Sequence, residues 1–327
     1  MTSTGSAVRT IQRRCMVSFV APQAAWPAPR GSLPLRVMAI TITPRHPALG
    51  AEVRGIDMRR SMDDATRQAV IDAWTRHLVL VFPDQPITDQ EHVAFTRHFG
   101  EPEIFHQTSL HLRSDRVKEI FLVSNVDEDG RLMTPGEPSQ KQLSSARQWH
   151  TDSSYRPMPS VGSLLHGIEI SRTGGITQFI NMYKVYDELP ERLRAVVEGR
   201  KARHDFGMLH RVTGAPKPTA AEQAAMPAVW HPMVRRHPVS GAKSLYISSI
   251  YNDAVEGLDE AASQRLIEEL SDFAAQPRYM YRHVWEPHDV LMWDNRCTVH
   301  AVTPHDPTER RVMHRTTIVG SEPVTAG

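Results

Sequence analysis

The sequence of 327 residues contains very little cysteine, and this scarcity excludes two classes of protein. Only Cys15 and Cys297 occur. Neither a disulfide framework nor a cysteine-rich zinc site can be assembled from two such residues. The same scarcity is typical of a protein kept in a reducing compartment, and we expect a cytoplasmic location.

Long apolar runs and an excess of charge of one sign are also missing. No apolar stretch approaches the ~20 residues that a membrane helix needs. The net charge is +1 with histidine neutral, which gives no overall attraction to nucleic acid or to an anionic membrane. Because 40% of the residues are hydrophobic, the chain can bury the core of one large domain or two small ones. We expect a globular protein that binds neither nucleic acid nor membranes.

The first 51 residues lack acidic side chains but contain six arginines and six prolines. An arginine-rich, acid-poor start is typical of a targeting segment, which is one interpretation. The prolines of "APQAAWPAPRG" interrupt any amphipathic or apolar continuity. We therefore favour a disordered extension over residues 1–37 and a single domain over residues 38–327.

Strand and helix patterns alternate in the first part of this domain. "AITIT" and "LVLVF" predict short strands. "SMDDATRQAVIDAWTRH" predicts a helix capped by Ser61, and "TDQEHVAFTRHFG" predicts a second helix that begins near Thr88 and ends at Gly100.

Short β-type segments dominate from Gln148 onward and are interrupted by helical patterns near 186–199 and 260–275. Residues 212–228 are rich in proline and alanine and predict a surface insert or lid. There are no internal repeats. Many short strands with few long helices predict a mainly β fold with flanking helices, built on two sheets.

A candidate metal site begins in the stretch "QWHTDSSY". In an extended chain, residues two apart lie on one face, so His150 and Asp152 can bind one ion together. His300, in the strand-like "TVHAV", is the candidate third ligand. Two histidines and one carboxylate with open positions form the usual site of non-haem Fe(II) oxygenases. The same three ligands with a water would suit a zinc hydrolase, and a lone His-x-Asp also arises by chance.

Two arginines follow His300 at an even spacing. Arg311 and Arg315 lie on one face whether the segment is a helix or the strand that "RTTIVG" indicates. Two guanidinium groups that share a cavity repel each other unless anions lie between them, and the arginine fork suits carboxylates. Surface arginines on a solvated strand are the alternative.

The order and spacing of these motifs resemble those of the taurine dioxygenase / 2,4-dichlorophenoxyacetate dioxygenase (TauD/TfdA) family. The resemblance rests on "WHTD", on "GGIT" at Gly174 to Thr177, on "WDNRCTVH", and on Arg311 and Arg315. It extends over nearly everything after residue 45, including "GAEVRGIDM" and "AMPAVWHPMVRRHPVSGAKSLYI". Several stretches look closer to the phenoxyacetate branch.

This resemblance implies a double-stranded β-helix, a jelly-roll relative, with Fe(II), 2-oxoglutarate and O2 as cofactor and cosubstrates. It implies that His150, Asp152 and His300 ligate the iron and form the catalytic centre. The remaining implied roles fall to side chains that bind 2-oxoglutarate (Thr177 and Arg311) or the substrate (Arg315, with His106, Gln107 and His111 as further candidates).

The implied reaction hydroxylates a small anionic organic substrate and releases succinate and CO2. A carboxylate of the aryloxyalkanoate kind is favoured over a sulfonate, and relatives suggest a homo-oligomer. The alternative function is a non-catalytic jelly-roll protein that binds a metal or an anion as a sensor or scaffold.

Overall fold

The computed structural model describes residues 40–105 and 110–327. The predicted disorder of residues 1–37 therefore lies outside the described residues. Eight α-helices occur in this part of the chain: α1 (Asp64–His77), α2 (Asp89–Thr96), α3 (Pro138–Leu143), α4 (Met182–Asp187), α5 (Glu191–Val197), α6 (Met208–Thr213), α7 (Ala220–Ala225) and α8 (Glu260–Ala274). Two 3-10 turns cover Ser144–Arg147 and Pro277–Tyr279.

Fifteen short strands make up the rest of the regular structure within the described ranges. They are β1 (Thr41–Pro44), β2 (Ala51–Arg54), β3 (Val79–Phe82), β4 (Phe121–Leu122), β5 (Gly162–Glu169), β6 (Thr177–Asn181), β7 (Lys201–His204), β8 (Val229–Pro232), β9 (Val234–Arg236), β10 (Lys243–Leu245), β11 (Asn252–Val255), β12 (Met280–His283), β13 (Val290–Asp294), β14 (Thr298–Val302) and β15 (Val312–Ile318).

Two of the sheets form the core of the fold. The larger sheet has seven strands in the order β1-β2-β3-β13-β5-β15-β4, and a second sheet has the order β12-β6-β14. Smaller sheets pair β11-β7-β8 and β10-β9. Within the larger sheet, β2 and β3 run parallel and the central strands pair antiparallel. The predicted fold class, a mainly β double-stranded β-helix with flanking helices, is confirmed.

The central strands of the larger sheet are buried on both faces, which is why they read as continuous apolar runs. In β13, Met292 packs with α1 and α2 on one face, whereas Leu291 and Trp293 face the second sheet. Successive side chains of a strand alternate between faces, so β13 contributes to the hydrophobic clusters on both faces of the sheet. On the inner side these residues contact Phe179 of β6, and this contact joins the two sheets.

Helix boundaries differ from the sequence prediction in two places. The cap of α1 is Asp63 rather than Ser61, because the Asp63 side chain accepts a hydrogen bond from the Thr66 backbone N–H. Thr88 caps α2 as predicted, with Glu91 completing a capping box. The helix ends at Thr96 rather than Gly100, because the residues after it form tighter turn hydrogen bonds.

The predicted insert at 212–228 contains the end of α6 and all of α7. Met226, 1% exposed, packs in a cluster with Tyr155 and Phe206. The segment is therefore anchored to the domain at this end, and its role as a lid stays a prediction. None of the helices within the described ranges is long and apolar enough to span a bilayer.

Candidate active site

Backbone pairing brings the two candidate histidine ligands together. His150 and His300 form an isolated antiparallel bridge in which each backbone N–H donates to the other's carbonyl, at 3.1 and 2.7 Å. Residues directly opposite in such a pair project to the same side. Their rings lie 4.1 Å apart between centroids, although 150 positions separate them along the chain.

The third candidate ligand completes a compact group. Asp152 Oδ1 lies 3.9 Å from His300 Nε2, and the ligand atoms of His150, Asp152 and His300 all lie within 4.8 Å of one another. The Nδ1–H of His150 donates to the Gln148 carbonyl at 2.8 Å, which leaves the Nε2 lone pair free for a metal.

The protonation states of this group suit metal binding. Burial lowers the pKa of both histidines, so each imidazole is neutral and can donate a lone pair. Burial alone would raise the pKa of Asp152, but the charge of Arg315 and the hydrogen bond from Ser163 act against it, and the pKa is lowered to about 2. Two neutral nitrogens and one carboxylate oxygen are the donor set expected of a non-haem Fe(II) centre.

Two residues that the sequence analysis did not assign hold the Asp152 carboxylate. Ser163 Oγ donates to Asp152 Oδ2 at 2.7 Å, and Asn295 Nδ2 donates to Ser163 Oγ at 3.0 Å. The Asn295 side chain is fixed in turn, because its Oδ1 accepts from Trp293 Nε1 at 2.8 Å. Asn295 lies inside the quoted motif "WDNRCTVH", so the motif contained a signal for this network.

Arg315 lies beside the candidate metal ligands rather than apart from them. Its Nη1 donates to Asp152 Oδ1 at 2.6 Å, and its guanidinium lies over the Phe121 ring at 4.6 Å. Its buried Nε has no hydrogen-bond partner among the described residues. Arg315 therefore supports the carboxylate and still has donors that face the cavity.

Arg311 is a buried cation that has no counter-charge among the described residues. It is 6% exposed, and burial lowers its pKa to about 10 with no acidic group of the described residues acting against this effect. Gly175, which has a φ of +65°, lies against this arginine, and a Cβ there would approach the Arg311 Nε to 3.1 Å. A glycine is needed at this point for both reasons.

Thr177 lies on the same side of β6 and β14 as His300. In the β6–β14 pairing, Thr177 is opposite Val302 and Phe179 is opposite His300, so all four side chains project to one face. Thr177 Oγ1 accepts from Trp285 Nε1 at 2.9 Å, which leaves the hydroxyl hydrogen free to be donated.

One cavity joins all six of these candidate residues. His150, Asp152, Thr177, His300, Arg311 and Arg315 line it together with an apolar wall of aromatic and aliphatic side chains. The aromatic members are Phe105, Phe121, Tyr155, Phe206, Tyr251 and Trp293.

The structure describes only one of the three further substrate candidates, His111. His106 and Gln107 lie outside the described residues. His111 is exposed and lines a separate surface depression, and its φ is 51°.

A second buried group of potential ligands has a structural function instead. His237, Asp294 and Cys297 lie as close together as the first group. However, His237 Nδ1 accepts backbone N–H groups, so its Nε2–H donates to Asp294 Oδ2 at 3.1 Å. Arg296 binds both oxygens of Asp294. These contacts leave no free pair of ligands for a metal.

Comparison with known proteins agrees with this geometry. The sequence model of the family described as "Taurine catabolism dioxygenase TauD, TfdA family" matches residues 41–317. The chain belongs to this family.

Individual TauD/TfdA relatives cover almost the whole domain. The chain is 35% identical over 290 residues to the (S)-phenoxypropionate/alpha-ketoglutarate-dioxygenase of Sphingobium herbicidovorans, covering 86% of this chain and 96% of the relative. It is 33% identical over 282 residues to the alpha-ketoglutarate-dependent 2,4-dichlorophenoxyacetate dioxygenase of Cupriavidus pinatubonensis, covering 86% and 98%. The solved structure of AAD-2 in complex with Mn(II) and N-oxalylglycine superimposes with a TM-score of 0.80 at 31% identity, covering 89% of this chain and 100% of that one.

Family and relatives together identify the chain as a 2-oxoglutarate-dependent dioxygenase that uses Fe(II) and 2-oxoglutarate. The predicted enzyme class and cofactors are confirmed. This outcome favours the oxygenase hypothesis over the non-catalytic sensor and over the zinc hydrolase.

Proposed function

We propose that this dioxygenase hydroxylates a small carboxylate that bears an aromatic group, and that succinate and CO2 are released. The observation that carries the proposal is the composition of the cavity, in which a His–Asp–His group and two arginines face a wall of aromatic side chains. The proposal extends to the role of each residue in the cavity.

The residues fit the cofactors that the family uses. His150, Asp152 and His300 would hold Fe(II), which supplies the O2-dependent chemistry when bound. Arg311 would bind the distal carboxylate of 2-oxoglutarate, because a buried guanidinium without a counter-charge needs an anion. The free hydroxyl hydrogen of Thr177 would donate to the same carboxylate.

Charge balance supports a substrate with one negative charge. Among the described residues that line the cavity, one carboxylate (Asp152) and two guanidinium groups (Arg311 and Arg315) are ionised. Their sum is one positive charge, which Fe(II) raises to three and the 2-oxoglutarate dianion returns to one. Since an uncompensated charge in a buried site is costly, a monoanion suits the site better than a zwitterion or a neutral molecule.

Arg315 is the proposed partner of that anion. Its Nη1 holds Asp152, while its Nε is without a hydrogen-bond partner in the described part of the chain. A guanidinium has five donors, so Arg315 can contact the iron ligand and a substrate carboxylate together.

The aromatic wall supports an aryl group in the substrate. The rings of Phe105 and Phe121 pack edge to face with their centroids 4.8 Å apart. The ring centroid of Tyr155 lies 4.8 Å from that of Phe206 and 5.0 Å from that of Tyr251. Such a wall offers an additional aromatic ring offset-stacked and edge-to-face contacts, each worth roughly 0.5–1.5 kcal/mol beyond its burial.

Matched substrates test the proposal. Fe(II)-loaded protein is supplied with 2-oxoglutarate and O2, and succinate release and O2 uptake are measured with phenoxyacetate, phenoxyethanol, cyclohexyloxyacetate and taurine. Phenoxyacetate should stimulate succinate release most. Phenoxyethanol should be about 10- to 100-fold poorer, since it lacks one charge-assisted hydrogen bond worth ~1.5–3 kcal/mol.

Two outcomes would contradict this substrate class. If phenoxyethanol stimulates succinate release as much as phenoxyacetate does, the substrate does not have to be an anion. If cyclohexyloxyacetate or taurine is preferred, the substrate does not have to be an aromatic carboxylate. A weak visible band on anaerobic addition of Fe(II) and 2-oxoglutarate tests the proposed cofactor site separately from the substrate.

We also propose a cytoplasmic location and a homo-oligomeric state. The free, buried Cys297 is in line with a reducing compartment. Light scattering after size-exclusion chromatography measures the oligomeric state directly.

A further inference from the structure

A second cavity lies against the active-site cavity and shares Arg311 with it. It has a volume of about 230 Å³ and is bounded by α3, the 3-10 turn at Ser144–Arg147, the segment after β4 and the loop after β14. The two cavities have five lining residues in common: Val123, Leu143, Ala146, Val302 and Arg311. Arg311 is therefore reached from two sides.

The lining of this second cavity is basic. Lys141, Arg147, His305 and Arg311 line it, and none of its lining residues is an aspartate or a glutamate. In the described part of the chain, neither Lys141 nor Arg147 forms an ion pair. Neighbouring exposed arginines do have such pairs, as in the contact of Arg310 with Glu169. We call this space the basic cavity.

The charges of two of these cations, Arg147 and Arg311, both affect His305. Burial, together with the charges of Arg311 and Arg147, lowers its pKa to about 4. The ring is therefore neutral near pH 7, and the positive potential of the basic cavity comes from its lysine and arginines.

The two cavities differ in the ligand that each suits. Beyond the metal ligands, most of the side chains that line the active-site cavity are apolar, and six of them are aromatic. The basic cavity has a larger share of polar side chains and contains unpaired cations among the described residues. A dianion is attracted to the basic cavity, because a concave surface of one charge sign concentrates ions of the other sign. Its inner end is the Arg311 guanidinium, which lacks a carboxylate partner among the described residues.

We propose that 2-oxoglutarate enters through the basic cavity and reaches Arg311 from that side, while the substrate enters through the active-site cavity. This inference rests on the proposed role of Arg311 as the anchor of the distal carboxylate. It adds a function for Lys141 and Arg147, which steer the dianion and do not contact the reacting atoms. A bound substrate then leaves the route of the cosubstrate open.

Charge reversal tests the steering. The protein is loaded with Mn(II), and binding of N-oxalylglycine, used as an unreactive probe, is followed by stopped-flow tryptophan fluorescence, since Trp285 donates to Thr177. In the double variant Lys141→Glu/Arg147→Glu, the association rate constant at low ionic strength should fall about tenfold or more, with a much smaller change in the dissociation rate constant. High salt should reduce this difference, because it screens exposed charges.

A matched variant controls for the change in net charge. Arg265 and Arg282 are exposed on α8 and β12 and line neither cavity. The double variant Arg265→Glu/Arg282→Glu makes the same change in net charge and should leave the association rate close to that of the wild type. A steric variant gives an independent test. Ser144 lines the basic cavity alone, and Ser144→Trp should slow association at every ionic strength.

The outcomes separate this inference from the proposed function. If wild-type protein with Mn(II) bound fails to bind N-oxalylglycine, the proposed cosubstrate site is wrong. If the wild type binds the probe but the double variant and Ser144→Trp associate at the wild-type rate, the cosubstrate does not use the basic cavity. A loss of rate in Arg265→Glu/Arg282→Glu equal to that in Lys141→Glu/Arg147→Glu would also overturn the steering argument.

Discussion

Replacing Arg311 by methionine should stabilise the ligand-free protein while it impairs cosubstrate binding. The guanidinium is 6% exposed, and burial lowers its pKa to about 10. A free arginine has a pKa of roughly 12.5 or higher, and one pKa unit corresponds to ~1.36 kcal/mol. The difference amounts to ~3 kcal/mol of destabilisation.

The sign of this effect follows from proton linkage. The unfolded chain binds the proton more tightly than the folded one, so the free energy of unfolding rises with pH only above about pH 10. At pH 7 both states are protonated and the whole cost of burying the charge is present. Methionine fills much of the same space without a charge, so Arg311→Met should raise the free energy of unfolding by ~1–3 kcal/mol, part of the gain being lost to imperfect packing.

Urea unfolding with and without 2-oxoglutarate measures both parts of this prediction. A ligand at 100 times its Kd adds ~2.7 kcal/mol to the stability of a protein that binds it only when folded. The wild type should gain this amount, whereas Arg311→Met at the same concentration should gain little, since losing the pair costs at least ~2 kcal/mol, or about 30-fold in affinity. The reasoning is refuted if the variant is less stable than the wild type without ligand, or if 2-oxoglutarate stabilises both equally.

Three further changes follow from the site. Asn295→Ala removes the support of Ser163 and should weaken Mn(II) binding by about 10- to 100-fold in calorimetry, and an unchanged affinity would refute the network. Arg315→Ala should weaken Mn(II) binding as well as substrate binding, because Arg315 donates to Asp152, whereas an effect on 2-oxoglutarate affinity alone would contradict the assignment. Burial lowers the pKa of His166 to about 4, so the unfolded chain takes up its proton first as the pH falls. The free energy of unfolding should therefore drop by ~2 kcal/mol between pH 6.5 and 5 on account of this residue, and His166→Gln should reduce that drop.

Local sequence patterns predict the strands of the fold and the site residues, but they do not predict every helix cap or the contacts between distant segments. The run "LVLVF" predicts a strand, and Val79–Phe82 forms one that is buried on both faces, because a strand covered on both faces reads as apolar throughout. Ser61 was assigned as a helix cap where Asp63 performs this role, since both residue types cap helices and spacing alone does not separate them.

Local sequence patterns do not predict which distant segments of the chain come into contact at the candidate site. The motif around His150 and that around His300 indicate ligands, but their meeting depends on one backbone bridge across 150 positions. Ser163 supports Asp152 only because β5 passes behind the carboxylate, and no residue beside Ser163 marks it. Likewise, the pairing of Arg315 with Asp152 results from the register of β15 on β5, which spacing along the chain does not reveal.

The unsatisfied groups of the site lie where the proposed ligands would bind. His150 and His300 are brought together as neutral imidazoles, and Arg311 is buried as a cation that lacks a counter-charge within residues 40–105 and 110–327. Each of these arrangements lowers the stability of the ligand-free protein, because buried polar and charged groups need partners. A bound metal gives the two imidazoles a partner, and a bound carboxylate gives Arg311 a counter-charge. The binding free energy of each ligand therefore includes the removal of this destabilisation. The protein should therefore be least stable without ligands, and Mn(II) and N-oxalylglycine should each raise its unfolding temperature, with the second effect lost in Arg311→Met.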